Sequence, residues 1–217
     1  MKVGVLFSGG KDSCLALHKY GKDKISCLLS ILPEHEDSFM FHTPNIDLLK
    51  KQAEMLSLPL IIQKTAGKKE KELEDLRKLI KKSKADEIVI GGLASSYQAS
   101  RIQKICSELG VKVSAPLWNY SAEKLWHELL ENKFKVIITK IASEGISEEF
   151  IGKIIDVNIL ENLKNLCKKY KFRLDFEGGD AETAVLFMPE FIQEIKIKFN
   201  VKSEGKYRHF LQVNKIL

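Results

Sequence analysis

Long apolar runs are missing from this 217-residue chain. No stretch approaches the roughly 18 apolar residues that a membrane-spanning helix needs, so no membrane partner is expected. The first apolar segment, Val3 to Phe7, is too short for a signal peptide and leads directly into glycines. Cysteine is scarce. Cys14, Cys27, Cys106 and Cys167 form no C-x-x-C pair, which argues against a zinc ribbon or a thioredoxin-like motif. Free cysteines without an export signal imply a cytoplasmic location. Cys14 sits beside a glycine loop, where a reactive thiol is conceivable, but a small buried helix residue is the expected role. His18, His35, His127 and His209 lack metal-ligand spacing, and no Ser-His-Asp grouping can be argued. Internal repeats and low-complexity segments are also absent.

Charge is present in both signs. Lys and Arg number 35 and Asp and Glu 29, a formal net charge of +6. Such an excess can favour anionic partners. The lysines nevertheless look interleaved with acids. The stretch from Lys68 to Lys84 also carries Glu70, Glu72, Glu74 and Asp75, which reads as a solvated helix face, so nucleic acid is not expected. The abundance of Lys, Glu and Ile is equally consistent with growth at high temperature.

Val3 to Phe7 reads as a buried strand, followed by a loop over Ser8 to Ser13 and a helix to about Tyr20. Ile25 to Leu32 is a second apolar run, broken by Pro33, and Glu34 to Pro44 is a polar loop. Ile46, Leu49, Ala53 and Leu56 have helical spacing. A strand over Leu60 to Ile62, a helix marked by Leu73, Leu76 and Ile80, and a strand over Glu87 to Ile90 follow. Gly91-Gly92 close that strand, and Ser95 and Ser96 are candidate caps for the next helix. This alternation predicts an α/β domain with a parallel sheet, helices on both faces and ligands at the carboxyl ends of the strands.

After Pro116-Leu117-Trp118 the character changes. A helix around Leu125 to Leu130, a strand from Val136 to Thr139 and a helix marked by Ile159, Leu163 and Leu166 lead to Glu177-Gly178-Gly179-Asp180-Ala181-Glu182-Thr183. Ile195, Ile197, Phe199 and Val201 then alternate with polar residues, as in a strand with one buried face. Ser203 to Lys206 is a turn, and Tyr207 to Val213 its hairpin partner. Two domains are expected, 1–120 and a smaller α+β domain, 121–217, that ends in antiparallel strands.

The loop Ser8-Gly9-Gly10-Lys11-Asp12-Ser13 is the candidate anion site. Two glycines between a strand and a helix admit backbone angles closed to other residues. Successive amides and the helix dipole can then face one phosphate. Lys11 adds a positive charge, and Ser8 and Ser13 add hydroxyls. An acid beside phosphates needs a cation, so Asp12 is the candidate ligand for Mg2+. The loop is neither G-x-x-x-x-G-K-[ST] nor the dinucleotide fingerprint. It resembles the pyrophosphate-binding loop (PP-loop) of the adenine nucleotide alpha hydrolase group, whose members cleave ATP between the α and β phosphates. That resemblance implies a Rossmann-like sheet and ATP as ligand.

Further stretches narrow the resemblance. Phe41-His42-Thr43-Pro44-Asn45, Gln52-Ala53-Glu54, Gly91-Gly92-Leu93-Ala94-Ser95-Ser96-Tyr97-Gln98 with Arg101 and Cys106, Ala115-Pro116-Leu117-Trp118, and Glu177 to Thr183 occur in an order similar to that of the diphthine–ammonia ligase family, short archaeal form. The resemblance covers nearly the whole chain. It implies ATP-dependent amidation of the diphthine carboxylate on elongation factor 2 by ammonium, through an acyl-adenylate, with release of AMP and pyrophosphate. The family's late motif often reads G-E-G-G-E-[FY]-E-T. Here Phe176 replaces the first glycine, Asp180 the second acid and Ala181 the aromatic, which puts the shape of the substrate pocket in question.

Lys11, Asp12, Glu177 and Glu182 are expected to carry the chemistry. Gly91 and Gly92 are expected to join the loop in holding ATP. His42, Asn45, Gln98, Arg101, Glu177, Gly178, Gly179, Asp180, Glu182 and Thr183 are expected to hold the substrate. Carboxylates suit both the trimethylammonium of diphthine and an incoming ammonium ion. Bland alternatives stay open: a helix start capped by Asn45, a surface pair at Gln98 and Arg101, and an exposed acidic turn at Glu177. Trp118 is expected to fill the junction between the halves rather than pack a cation. Two rival functions are a PP-loop tRNA-modifying enzyme and a non-catalytic ATP-binding regulator. A homo-oligomer is left open.

Overall fold

The computed structural model describes residues 1–33, 45–65, 69–92 and 96–217, with the side chains of 33, 69, 70 and 96–98 left aside. Contacts divide the chain into two compact units, Met1–Asn119 and Tyr120–Leu217.

The first unit is Rossmann-like. Its strands are β1 (Val3–Leu6), β2 (Cys27–Pro33), β3 (Leu60–Thr65), β4 (Glu87–Val89) and β5 (Lys112–Ser114), and its helices α1 (Lys11–Tyr20), α2 (Ile46–Leu56), α3 (Lys69–Ser83) and α4 (Ser96–Glu108). The sheet order is β3-β2-β1-β4-β5, and every pairing is parallel. One face is sealed by a core joining Cys27, Leu29 and Ile31 of β2 to Leu76, Leu79 and Ile80 of α3 and to Ile102, Ile105 and Cys106 of α4. Alternation turns Leu28 to the other face, where it is equally buried. α1 lies against β1 and β4.

Three details depart from the sequence reading. β5 was not anticipated, because three residues are too few to show a period. Pro33 is itself the last residue of β2, paired with Thr65, rather than the break before which the strand stops. Its missing N–H is harmless there, since β1 pairs with β2 only as far as Leu29. Trp118 is 44% exposed, so it fills no core.

The second unit is α+β. Its antiparallel sheet runs β7-β6-β9-β8, built from β6 (Lys135–Ile141), β7 (Ala181–Phe187), β8 (Ile197–Glu204) and β9 (Arg208–Ile216). It is accompanied by α5 (Ala122–Glu131) and α6 (Val157–Tyr170). Ser121 and Asp156 cap the two helices, accepting from the amides of Lys124 and Ile159. Trp126, Leu129, Ile137, Ile138, Leu163 and Val185 are almost fully buried. β7 was not expected as a strand, because the Glu177–Thr183 stretch was read by its glycines. β8 is also wetter than its alternation implied: Ile197 and Phe199 are half-buried, and Val201 is 40% exposed.

Candidate functional site

The sheet order places a topological switch between β1 and β4. From β1 the chain winds outward to β2 and β3, then crosses back to β4 and β5. Open parallel sheets bind ligands in the crevice at such a point, outside the carboxyl ends of the strands. The Ser8–Ser13 loop follows β1, and Gly91-Gly92 follows β4. Both glycine pairs therefore border the same crevice.

The loop is braced from inside. The Ser8 amide donates to the Ser13 hydroxyl at 3.3 Å, the Gly10 amide donates to the Ser8 hydroxyl at 3.3 Å, and the Ser13 hydroxyl donates to the Gly10 carbonyl at 3.1 Å. No side chain caps α1. Helix geometry gives the first-turn amides no carbonyl four residues back, and an N-terminus of this kind favours an anion. Lys11 is 3% exposed, and its ammonium donates to both Asp12 carboxylate oxygens, at 2.8 and 3.1 Å. The Asp12 side chain is 32% exposed, so this ion pair lies at the mouth of α1.

The two loop glycines serve different ends. Gly9 has φ +75°, a region that disfavours side chains. Gly10 has φ −80° and ψ 170°, which any residue adopts, so conformational freedom does not account for it. Gly91 is required for contact: a Cβ there would lie 2.7 Å from the Asp12 carbonyl carbon and 2.7 Å from the Ser13 amide nitrogen. The end of β4 thus touches the first turn of α1. An added Cβ on Gly92 meets no described atom within 4 Å.

Gln52 is a member of this site that the sequence reading left without a role. It lies on α2, is 1% exposed, and its amide donates to the Gly9 carbonyl at 2.8 Å. Its Oε1 occupies the space a Gly9 side chain would need, 2.0 Å from the would-be Cβ. Two signals pointed to it: its place in the Gln52-Ala53-Glu54 stretch of the resemblance, and a polar residue among the buried positions Leu48, Leu49 and Ala53.

The other expected residues distribute unevenly. Asn45 caps α2, accepting from the Leu48 amide at 3.0 Å. Arg101 is half-buried on α4. His42, Ser95 and the side chain of Gln98 lie outside the described residues. The Glu177–Thr183 motif belongs to the second unit.

That motif is a turn fastened by Asp175. The Asp175 carboxylate is 5% exposed and accepts from the Glu177 amide at 3.0 Å and from Arg173 at 2.9 and 2.6 Å. Asp180 accepts from the Arg173 amide at 3.1 Å. Gly178 and Gly179 have φ +110° and +92°. Glu182, on β7, pairs with Lys140 on β6 at 3.1 Å. Strand alternation sends Glu182 and Thr183 to opposite faces of the sheet. Ser203, His209 and Glu148 also meet, but Ser203 and Glu148 both approach Nδ1 of His209, at 2.8 and 3.6 Å. A nucleophile relay needs the two ring nitrogens separately, so this cluster is not one.

Residues 1–113 match the diphthamide synthase N-terminal domain, and residues 121–216 match the diphthamide synthase C-terminal domain. The chain belongs to the diphthamide synthase family. Its relatives include a Schizosaccharomyces pombe protein named diphthine–ammonia ligase, 32% identical over 90% of this chain and 36% of that one. A Homo sapiens protein of the same name is 30% identical over 90% of this chain and 82% of its own. The chain thus spans about a third of the fission-yeast relative and most of the human one. A solved Methanocaldococcus jannaschii chain, described as a predicted subunit of tRNA methyltransferase, covers 87% of this chain and 98% of its own length at 19% identity and a TM-score of 0.41.

The departure from the diphthamide synthase motif at Phe176 has a physical reading. Phe176 has φ +59°, the region where the family's glycine would sit without strain. Its ring is 5% exposed and meets Trp126 edge-on, with centroids 6.0 Å apart. Trp126 in turn donates to the Leu174 carbonyl at 2.9 Å. A left-handed conformation costs roughly 1–2 kcal/mol, and burying the ring offsets it by about 1.5–3 kcal/mol. The substitution preserves the turn by packing rather than by flexibility.

Proposed function

We propose that this chain amidates the carboxylate of diphthine on elongation factor 2, using ATP and ammonium. The observation that carries the reading is the braced Ser8–Ser13 loop at the switch point, with Gly91 against the first turn of α1, in a chain matched to one family along nearly its whole length. ATP lies at the strand ends with its phosphates against the loop amides and Lys11. A single half-buried carboxylate beside phosphates suits magnesium, which takes one or two carboxylates and completes its shell with phosphate oxygens and water. Asp12 would hold Mg2+, which supplies charge neutralisation at the pyrophosphate when bound.

The substrate carboxylate attacks the α phosphorus, the bond to the β-phosphate oxygen breaks, and pyrophosphate leaves with the electron pair. Ser8, Ser13, Lys11 and the loop amides stabilise that developing charge. Gln52 holds Gly9 in position without touching a reacting atom. Ammonium first gives a proton to a carboxylate or to water; the ammonia so formed attacks the acyl-adenylate carbonyl, AMP departs with the electron pair of the broken C–O bond, and the nitrogen passes its second proton to the same acceptor or to solvent. Glu177, Asp180 and Glu182 attract the two cations involved, ammonium and trimethylammonium. Gly178 and Gly179 supply the positive φ angles the acidic turn needs. Arg101 on α4 is proposed to bind the substrate carboxylate or the phosphates, and Asn45 the substrate; Gln98, His42 and Thr183 enter this reading from the sequence motifs alone.

Thiol chemistry at Cys106 and Cys167 is disfavoured. Burial pushes the Cys106 thiol up to about 11, and burial with the charges of Asp180 and Asp175 pushes Cys167 up to about 11. Both are protonated at neutral pH and poor nucleophiles. The deciding experiment mixes the protein with ATP, ammonium and elongation factor 2 bearing diphthine. AMP and an amidated histidine are expected. ADP as product would refute α–β cleavage, AMP formed only with tRNA would move the enzyme to RNA modification, and bound ATP without turnover would make it a regulator.

A further inference from the structure

The last 22 residues of the chain carry a basic excess. Residues 196–217 hold six basic side chains, Lys196, Lys198, Lys202, Lys206, Arg208 and Lys215, against one acid, Glu204. That net of +5 leaves +1 for all other residues out of the chain's +6. These residues form the β8–β9 hairpin, with β8 as an outer strand of the second sheet.

Register shows which way the charges face. Lys198 lies opposite Lys215, Asn200 opposite Gln212, Lys202 opposite Phe210, and Glu204 opposite Arg208. All are exposed except Phe210, which is half-buried. The alternate residues form the inner face: Leu211 is 9% exposed, and the Phe199 ring occupies the space over Gly152, 2.1 Å from a would-be Cβ. The polar face continues across the sheet, because Phe210 pairs with Lys140 and Lys140 with Glu182. One cross-strand row therefore reads Glu182, Lys140, Phe210, Lys202. Three strand spacings of about 4.8 Å put Lys202 about 14 Å from Glu182. Lys198 directly opposite Lys215 is a like-charge pair that weakens the hairpin.

We propose that this open face docks an acidic surface segment of the protein substrate at its lysine end, while the side chain to be modified is presented at the Glu182 end. The inference rests on the chain acting on a protein, as proposed above. An unfolded acidic peptide alone would not need the second anchor; a folded substrate with an acidic patch beside its modified histidine would use both ends of the row. A nucleic acid fits less well. Glu182 and Glu204 lie on the same face, and strand-tracking sites rely on exposed aromatic platforms, of which this face has only the half-buried Phe210.

The test compares the wild type, the double variant Lys198→Glu/Lys202→Glu and the control Lys81→Glu/Lys82→Glu, which makes the same charge change at exposed positions on α3. Amidation of elongation factor 2 bearing diphthine is followed at low and at physiological ionic strength. The hairpin variant should raise KM for the factor roughly ten-fold at low salt and flatten its salt dependence. The control should leave KM within about two-fold. Relief of the lysine pair should keep the hairpin variant's Tm at or above that of the wild type, and Lys202→Gln should move KM the same way by less. An unchanged KM, or a control that matches the hairpin variant, overturns the docking face. RNA binding that the hairpin variant abolishes while KM stays put assigns the face to nucleic acid and also overturns it. If the wild type forms no amide on the factor, the ligase reading itself falls, a result distinct from amide formation with unshifted KM.

Discussion

Replacing Gly91 with alanine sets a Cβ 2.7 Å from the Asp12 carbonyl carbon, 2.7 Å from the Ser13 nitrogen and 2.9 Å from the Asp12 oxygen. Carbon contacts are comfortable at about 3.5–4.0 Å, so roughly 1 Å must be recovered. The obstructing atoms are main chain in the first turn of a helix, not the movable end of a side chain. Overpacking of this kind costs about 1–3 kcal/mol, and the displacement falls on the amides proposed to face phosphate. Gly92→Ala is the internal control: its Cβ meets no described atom within 4 Å and its change in stability should stay within about 0.5 kcal/mol. Urea unfolding measures the stability of each variant, and calorimetric titration with ATP measures the site. Gly91→Ala should lose stability and at least ten-fold in ATP affinity, a difference of about 1.4 kcal/mol, with Gly92→Ala close to wild type in stability. Equal behaviour of the two variants would refute the close-approach reasoning, and normal ATP affinity in a destabilised Gly91→Ala would detach the first turn of α1 from nucleotide binding.

Gln52→Glu keeps the shape of the side chain but puts an acceptor against the Gly9 carbonyl, so stability should fall by about 2 kcal/mol and ATP affinity with it; unaltered ATP binding would show that the loop holds itself. Phe176→Gly relieves the left-handed strain but removes a buried ring, and losing such a ring costs about 3–5 kcal/mol against roughly 1–2 regained. A net destabilisation of about 2 kcal/mol is expected by denaturant melting, and a more stable variant would contradict the packing account. The Cys106 thiol titrates at about 11 in the folded chain against an ordinary value near 9, so the native state holds the extra proton between those values. Its contribution is complete below pH 9 and is lost as pH rises toward 11, by about 3 kcal/mol. Stability profiles of wild type and Cys106→Ala should therefore converge in that window, and parallel profiles would exclude the thiol as the cause.

Much of the first unit was legible because its signals are local. Apolar spacing marked α2 and α3, and the glycine loop announced the turn from β1 into α1. β5 was invisible because three residues show no period. In the second unit, Glu177-Gly178-Gly179 read as a turn by composition, but Ala181 to Thr183 already belong to β7. Its partner β6 precedes it by some forty residues in the sequence, and no local pattern reveals such a pairing. The lysines of the β8–β9 hairpin were visible one by one. That they share a face with Glu182 emerged only from the register of four strands.

Local sequence already holds the chemistry on offer: a glycine loop with a lysine, an acid and two serines between strand and helix, and an order of motifs that marks a family. Those features act over neighbouring residues, where φ/ψ preference and hydrogen-bonding capacity are properties of the local chain. Tertiary structure decided which residues meet. Gln52 reaches Gly9 across 43 positions, Gly91 touches the first turn of α1, and Phe176 occupies a glycine's conformation because Trp126 covers its ring. Such contacts depend on strand order, register and packing, which are set by burial over the whole unit and leave no local mark on the residues that make them.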